Sequence, residues 1–467
     1  MNWWRVLFFV SITASMMAQE VKVTVVGAGL AGLTAAYRIE KLTGRPVDVY
    51  EARSRPGGRV YTVYLGDAYE ELGGKFIGDG GEADHIKSLI AEMGLQIETC
   101  AWNRAASKYY YQGTVDWYYA PFLHAPEPEA DYTAKNLGEV MDLLFAKDPL
   151  LHHLLELRNS GYEGNDSKDL SISYLESFNH YYAKTREIAQ GKQPPFYLSE
   201  SVKGGNSLLI ERLAGALKKP IRYTSILKKI TRENGKIRLH FDGGLCEDTE
   251  YLILAIPCST LREVEIEKGL IPDDQKNAIA LLQYGTNAKI LLPVAGVSKD
   301  SGPFSKTERS TTWFNQDLSI LTCYYGGSTG QFNCTCPHTL EAVIQAEMPA
   351  LMAIYPSLEF PYPLTPEPLN EMLFYRYLSP IGISWELEEF SKGSYSSWGV
   401  GQFEFFDAKE THLSETVRRV FRPIADRIFI AGEHAALDFP ATLEGAVESG
   451  ERTARMVCRS LDCFFGM

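Results

Sequence analysis

Apolar positions along the chain change period several times, and each change marks an element. The β-branched run Val21 to Val26 has the density of a buried parallel strand, and it stops at Gly27. Leu30, Leu33, Tyr37 and Ile39 then recur at helical spacing, and Val47 to Tyr50 forms a second short strand. Helical periodicity returns at Asp84 to Met93 and at Leu137 to Leu157. Between them the aromatic segment Tyr109 to Tyr119, turning at Gln112-Gly113, reads as a hairpin. A helix starts within Val202 to Leu217, and Ile221 to Ile230, Ile237 to Phe241 and Tyr251 to Ile256 read as strands. The last signals are a strand at Arg427 to Ile430 and a helix over Thr442 to Ala454. That helix keeps Gly445 and Gly450 at a cost of about 1 kcal/mol each, which implies close packing against a strand or a ligand.

The first strand and helix meet at Gly27-Ala28-Gly29-Leu30-Ala31-Gly32, a G-x-G-x-x-G turn in the place a Rossmann unit puts it. Gly27 allows the tight turn, Gly29 lets backbone N–H groups approach a pyrophosphate, and Gly32 lets helix and strand pack closely. The second strand delivers Glu51, whose carboxylate can take both hydroxyls of an adenosine ribose, and an ordinary Gly-rich turn does not explain that acid. Arg53 and Arg59 follow around Gly57-Gly58, placed to meet a pyrophosphate. Gly73-Gly74 then looks like backbone that lies against a flat ligand. Three Gly-rich segments with basic residues so close together suit a cofactor longer and flatter than a nicotinamide dinucleotide, and FAD fits. A helix N-terminus near Thr442 can stabilise negative charge on a reduced flavin. These signals predict an α/β protein: a discontinuous Rossmann-type FAD-binding domain with an inserted α+β domain.

Composition adds limits. The 467 residues have room for two or three domains, and 45% hydrophobic with 22% charged residues is ordinary for a globular chain. A net charge of −13 disfavours nucleic acid and weakly favours a cationic small substrate. Eight cysteines are too sparse for a disulfide scaffold, and Cys334-Thr335-Cys336 has neither zinc-ribbon nor thioredoxin spacing, so no metal site is expected. Residues 1–18 read as a signal peptide. Arg5 precedes a short apolar core from Val6 to Val10, and small residues lead to Ala18, with Met16 where a small residue is usual. Export is therefore expected. No other stretch reaches transmembrane length.

With those residues in view, the chain resembles the flavin-containing amine oxidase family, which includes monoamine, polyamine and L-amino-acid oxidases. The resemblance rests on the opening Gly-rich turn, Glu51-Ala52-Arg53, Gly57-Gly58-Arg59, Glu71-Leu72-Gly73-Gly74, Gly204-Gly205, Asn287-Ala288-Lys289, Ala431-Gly432-Glu433 and Glu444 to Gly450. It implies an FAD domain over 20–80, 200–283 and 395–460, with a substrate domain from 81–199 and 284–394. It also implies roles: Glu51 on the ribose, Arg53 and Arg59 on the phosphate side, and the Ile226 backbone on adenine. Gly58, Gly74 and Leu443 would lie along the cofactor, Glu433 near the ribityl-pyrophosphate, and Lys289 would hold a water at the flavin.

The departures concern substrate. Gly393-Ser394-Tyr395 stands where monoamine oxidases have the cysteine that attaches flavin, so the resemblance implies non-covalent FAD. Tyr395 matches one wall of the aromatic cage, whereas Thr442 replaces the other unless Trp398 or Phe439 fills the space. Phe76 stands where L-amino-acid oxidases place an arginine for the substrate carboxylate. The expectation is an FAD-dependent oxidation of a small amine to an imine, with O2 reduced to H2O2. A desaturase or protoporphyrinogen-type oxidase, and a flavin-binding protein without turnover, are the alternatives. The sequence leaves the oligomeric state open.

Overall fold

A computed structural model describes residues 21–77, 82–127, 134–299, 301–370, 372 and 375–465. The leader, residues 1–18, lies outside them. The opening β-branched run forms strand β1 (Val23–Val26), buried along its whole length, and Gly27 to Gly29 turn it into helix α1 (Leu30–Thr43). Strand β2 (Asp48–Tyr50) lies parallel to β1, with Thr24 opposite Asp48. The aromatic segment forms the antiparallel hairpin β3 (Lys108–Tyr111) and β4 (Thr114–Trp117).

The helix expected over 137–157 is two helices, α2 (Leu137–Phe145) and α3 (Pro149–Glu163). Pro149 has no N–H to continue the ladder, and Asp148 caps the new start by accepting the Leu151 N–H at 3.0 Å. Helix α4 (Leu175–Ala189) follows. The strand expected from Ile221 begins only at Leu227. Residues 222–225 instead hook over the end of β2: the Arg222 N–H donates to the Val49 carbonyl at 2.9 Å, the Ser225 N–H to the Glu51 carbonyl at 2.8 Å, and Thr224 turns at φ +53°.

The rest of the framework is β5 (Tyr251–Leu254), β6 (Ala288–Pro293), β7 (Ser305–Lys306), β8 (Thr311–Phe314), β9 (Ile320–Tyr325), α5 (Pro337–Ile354), β10 (Ile381–Ser384), β11 (Ile428–Ile430) and α6 (Leu443–Phe465). Strands β2-β1-β5-β11 form one parallel sheet drawn from distant parts of the chain. The strand period of two separates its faces. Val25, Ile253 and Phe429 pack with residues of α1 and α6 in one core cluster, while Val26, Leu252 and Ile430 belong to a second.

The other large sheet runs β10-β6-β9-β8-β7-β3-β4. Ile290, Leu292, Leu321 and Cys323 on one face pack against Leu340, Ile344 and Leu351 of α5. The opposite face carries a row set by register: Lys289 pairs with Tyr324, Tyr324 with Thr311, and Thr311 with Lys306. Tyr109, Tyr118 and Tyr119 of the aromatic segment, with Phe122 just beyond it, pack into a helical core with α2, α3 and α4. No helix among the described residues is long and apolar enough to cross a membrane. Cys100, Cys246, Cys258, Cys323, Cys334 and Cys336 are free.

Candidate active site

A single cavity of about 1270 Å³ runs from the Gly-rich turn to the Lys289 row. At the turn, Gly27 sits at φ +106°, and a Cβ there would lie 2.5 Å from the Ala255 carbonyl oxygen. Gly29 caps α1 without any side-chain hydrogen bond, the first turn has no acid, and a Cβ at Gly29 would meet nothing within 4 Å. The helix start therefore turns unpaired N–H groups and its positive dipole end toward the cavity, a place suited to phosphate. Gly32 stands behind the wall, where a Cβ would lie 2.0 Å from the Gly27 carbonyl oxygen.

Glu51 lines the cavity and organises the loop, since its carboxylate accepts the Ala28 N–H at 2.8 Å and the Arg53 N–H at 3.0 Å. Two expectations change here. Ala28 does not line the cavity, because its N–H is turned back onto Glu51. Arg53 is no free phosphate cation: its guanidinium is ion-paired with Glu388, donates to Ser391 Oγ at 2.8 Å and lies over the Phe390 ring. Arg59 donates to Glu433 at 2.9 Å and to the Ser394 carbonyl at 2.7 Å. Glu433 also accepts from Ser396 Oγ at 2.6 Å and from the Ala441 N–H at 2.9 Å. Burial pushes Glu433 up, but Arg59, His434 and these donors outweigh it and hold the carboxyl below its usual range. Gly58 and Ile226 line the same stretch, and the Ile226 carbonyl accepts the Asp242 N–H at 2.8 Å. Further along, Gly74 and Leu443 pinch the wall, since a Cβ at Gly74 would lie 2.9 Å from the Leu443 side chain. Thr442 caps α6: its Oγ1 accepts the Gly445 N–H at 3.0 Å and donates to the Phe439 carbonyl at 2.7 Å.

Beyond this pinch stands Lys289, only 6% exposed, with Nζ donating to the carbonyls of Glu71 at 2.9 Å and Gly73 at 2.6 Å. Burial drives the ammonium down to about 8 and the Glu71 carboxyl up to about 7, so both are pushed toward neutral forms. The rings of Tyr324 and Trp313 lie 5.6 and 5.8 Å from Lys289 Nζ. The Tyr395 hydroxyl sits 2.9 Å from the Gly161 and Tyr162 carbonyls and 3.3 Å from the Tyr324 hydroxyl, and burial raises its phenol well above the usual tyrosine range.

Trp398 lines the cavity but packs on Tyr174 and Phe403, with Arg418 against its ring. Phe439, the other candidate for the second cage wall, lines the same cavity. Phe76 lines the cavity edge-on to Tyr197.

Sequence reading missed Tyr324, Trp313 and three cations on the wall, Arg104, Arg158 and Lys306. The alternation in Thr311 to Phe314 and Ile320 to Tyr325 marks strands, but nothing local says which face meets a ligand. Among the described residues no His, Cys, Asp and Glu cluster could hold a metal ion.

The chain matches the family described as flavin containing amine oxidoreductase over residues 30–131 and 122–458. It is 24% identical to a pseudooxynicotine dehydrogenase of Pseudomonas sp, covering 94% of this chain and 86% of that one. It is 25% identical to a lysine-specific histone demethylase 1 homolog 2 of Oryza sativa subsp. japonica over 93% of this chain, but spans only 56% of that protein. Cyclohexylamine oxidase from Brevibacterium oxydans IH-35A shares the fold with a TM-score of 0.71 at 17% identity, over 95% of this chain and 100% of that one. Putrescine oxidase bound to putrescine shares it with a TM-score of 0.67 at 19% identity, over 94% and 99%. The family match spans nearly the whole chain, and the chain belongs to the flavin-containing amine oxidoreductases.

Proposed function

We propose that this protein is an FAD-dependent amine oxidase. The amine loses two electrons and two protons to become an imine, O2 takes up both to become H2O2, and water splits the imine into a carbonyl compound and ammonia or an amine. The observation that carries this reading is Lys289: a buried amine in the one cavity that also holds the Gly-rich turn and the tyrosine wall.

The residues present fit FAD. The uncapped start of α1 suits a diphosphate, with Arg59, whose bonds to Glu433 and Ser394 both use Nη1, beside it; Glu51 suits ribose hydroxyls, and the open approach at Gly29 leaves backbone free to meet the ligand. Ser394 offers no sulfur for attachment and donates through Oγ to Asn287 at 2.5 Å, so the cofactor is held without a covalent bond there. When bound, flavin supplies the two-electron acceptor. The chain supplies position and charge. Lys289, brought down to about 8, can hold or pass a proton at Nζ near neutral pH. Tyr395 and Tyr324 flank the same space and present rings that orient a small amine and exclude water.

The test is anaerobic mixing of the purified flavoprotein with a panel of mono-, di- and polyamines and amino acids. Flavin absorbance and, after oxygen is admitted, peroxide are then followed. Bleaching by at least one amine with peroxide on reoxidation is expected; bleaching by none would overturn the reading. Release of intact FAD on denaturation checks the non-covalent attachment.

A further inference from the structure

The cavity continues past Lys289 along the sheet. The register row Lys289, Tyr324, Thr311, Lys306 crosses three strand spacings, about 14 Å from end to end. Aromatic rings fill the interval: Trp313 lies 5.4 Å from Tyr324 and 6.1 Å from Phe304, and Phe304 lies 5.5 Å from Tyr197. At the far end the wall turns cationic.

Lys306, 5% exposed, donates to Thr311 Oγ1 and faces Arg104 and Arg158. Arg104 lies 5.5 Å from the Phe304 ring among the Tyr118, Tyr119 and Tyr181 hydroxyls, and its Nε has neither accessible surface nor a hydrogen-bond partner. Arg158 is the compensated member, within 3.4 Å of Glu163 and 3.2 Å of Ser177 Oγ. Among the described residues the groups that act on Arg104 are tyrosine hydroxyls, with Tyr181 hydrogen-bonded to it, and those that act on Lys306 are Arg104 and Arg158; none is a carboxylate. Glu176, His180 and Lys184, one exposed face of α4, line the solvent side of the cavity.

Arg104 stays charged without a counter-charge, and burial with Arg104 and Arg158 nearby pushes the Lys306 ammonium down to about 7; a ligand that brings an anion to this cavity end relieves both. The partners of all three come from the sheet, α3, α4 and the neighbouring loops, and not from the Gly-rich cradle. A cofactor phosphate therefore does not account for them.

We infer that the amine oxidised here carries a carboxylate at the end remote from its reacting carbon, seated between Arg104 and Lys306. The inference rests on the amine oxidase reading. Guanidinium and ammonium together suit a carboxylate, the first by paired N–H donors and the second as a point charge. The aromatic interval suits an apolar spacer. A diamine of the same length would bring a second cation against the two already there. The acidic molecule as a whole attracts cations, so the selection is local to this cavity end.

The experiment compares ω-aminocarboxylates of about four to eight carbons, a range chosen for the length of the row, with the alkylamines and diamines of equal length. Flavin bleaching and kcat/KM are measured for each. The best ω-aminocarboxylate is expected to exceed its alkylamine and diamine counterparts by about tenfold or more, an alkylamine or diamine that equals it overturning the inference. Arg104→Gln and Lys306→Met should each erase most of that preference through KM, with FAD content and thermal midpoint reporting whether the variant folds. Calorimetry with pentanoate, which carries the carboxylate and no amine, reads the site without turnover. Saturable binding weakened by either substitution is expected, whereas absent or unaltered binding overturns the inference. If no amine bleaches the flavin, the oxidase reading falls and the pentanoate titration still decides the carboxylate site.

Discussion

At Lys289 an ordinary side chain is made unusual by the removal of water. Its stem lies in a buried strand and its ammonium is held by two backbone carbonyls; burial destabilises the charged form and brings its titration down to about 8, close enough to physiological pH for the proton to be passed on. Lys289→Met keeps the stem and deletes the donor. Flavin content should survive, and either bleaching by amine or recovery with oxygen should slow roughly 100- to 1,000-fold, about 2.7 to 4 kcal/mol. Rapid-mixing absorbance measures the two half-reactions separately, and rates within about threefold of wild type, under ~1 kcal/mol, would remove Lys289 from the mechanism. Glu71, two residues before one of those carbonyls, gives a pH test. Its carboxyl is raised by burial from about 4.5 to about 7, so the folded state binds the proton more tightly than the unfolded state does. The stability this lends is complete below pH 4.5 and is lost as pH rises through about 7. Glu71→Gln cannot ionise. Its thermal midpoint relative to wild type should climb between those pH values and then level off, and a flat difference would show that Glu71 titrates normally.

The elements set what each glycine and cap can do. Gly32 and Gly29 lie in one turn of one helix, yet a Cβ would meet the Gly27 carbonyl at 2.0 Å in the first case and nothing within 4 Å in the second. Gly32→Ala should therefore destabilise the fold by about 1–3 kcal/mol through overpacking, seen as a lower denaturation midpoint. Gly29→Ala should leave the midpoint near wild type and lower FAD content. Equal effects on both would mean that the open approach at Gly29 is not where the ligand lies. Thr442 serves both the cavity wall and the α6 cap. Thr442→Tyr should lose about 1 kcal/mol from the missing cap and shift preference toward slimmer amines, whereas Thr442→Ser should keep both properties. An unchanged ranking of amines in the tyrosine variant would take residue 442 out of the substrate wall.

At the scale of the whole molecule, export is proposed from the leader alone. Mass spectrometry of the native protein should find a start near Gln19, and Met1 intact on cytosolic protein would end the proposal. Much of the cofactor side was legible in the sequence because its signals are local: spacing in Gly27 to Gly32, an acid at a strand end, a glycine pair beside an arginine. Such patterns state their chemistry within a few residues of chain. Even there, the partners of Arg53 and Ala28 were not legible, because Glu388 is distant in sequence and the direction of one N–H depends on how the loop closes. The substrate side was hardly legible. Lys289, Tyr324, Thr311 and Lys306 come from four strands with no shared motif, and a slip of one residue in any pairing would turn a side chain away from the cavity. The sequence by itself determined the family and the strand, Gly-rich turn and helix that open the fold, since local geometry follows from backbone preference and spacing. Tertiary structure alone decided which face of the large sheet lines the cavity, which basic groups meet no carboxylate there and how far they stand from Lys289, because burial and register are properties of the packed chain.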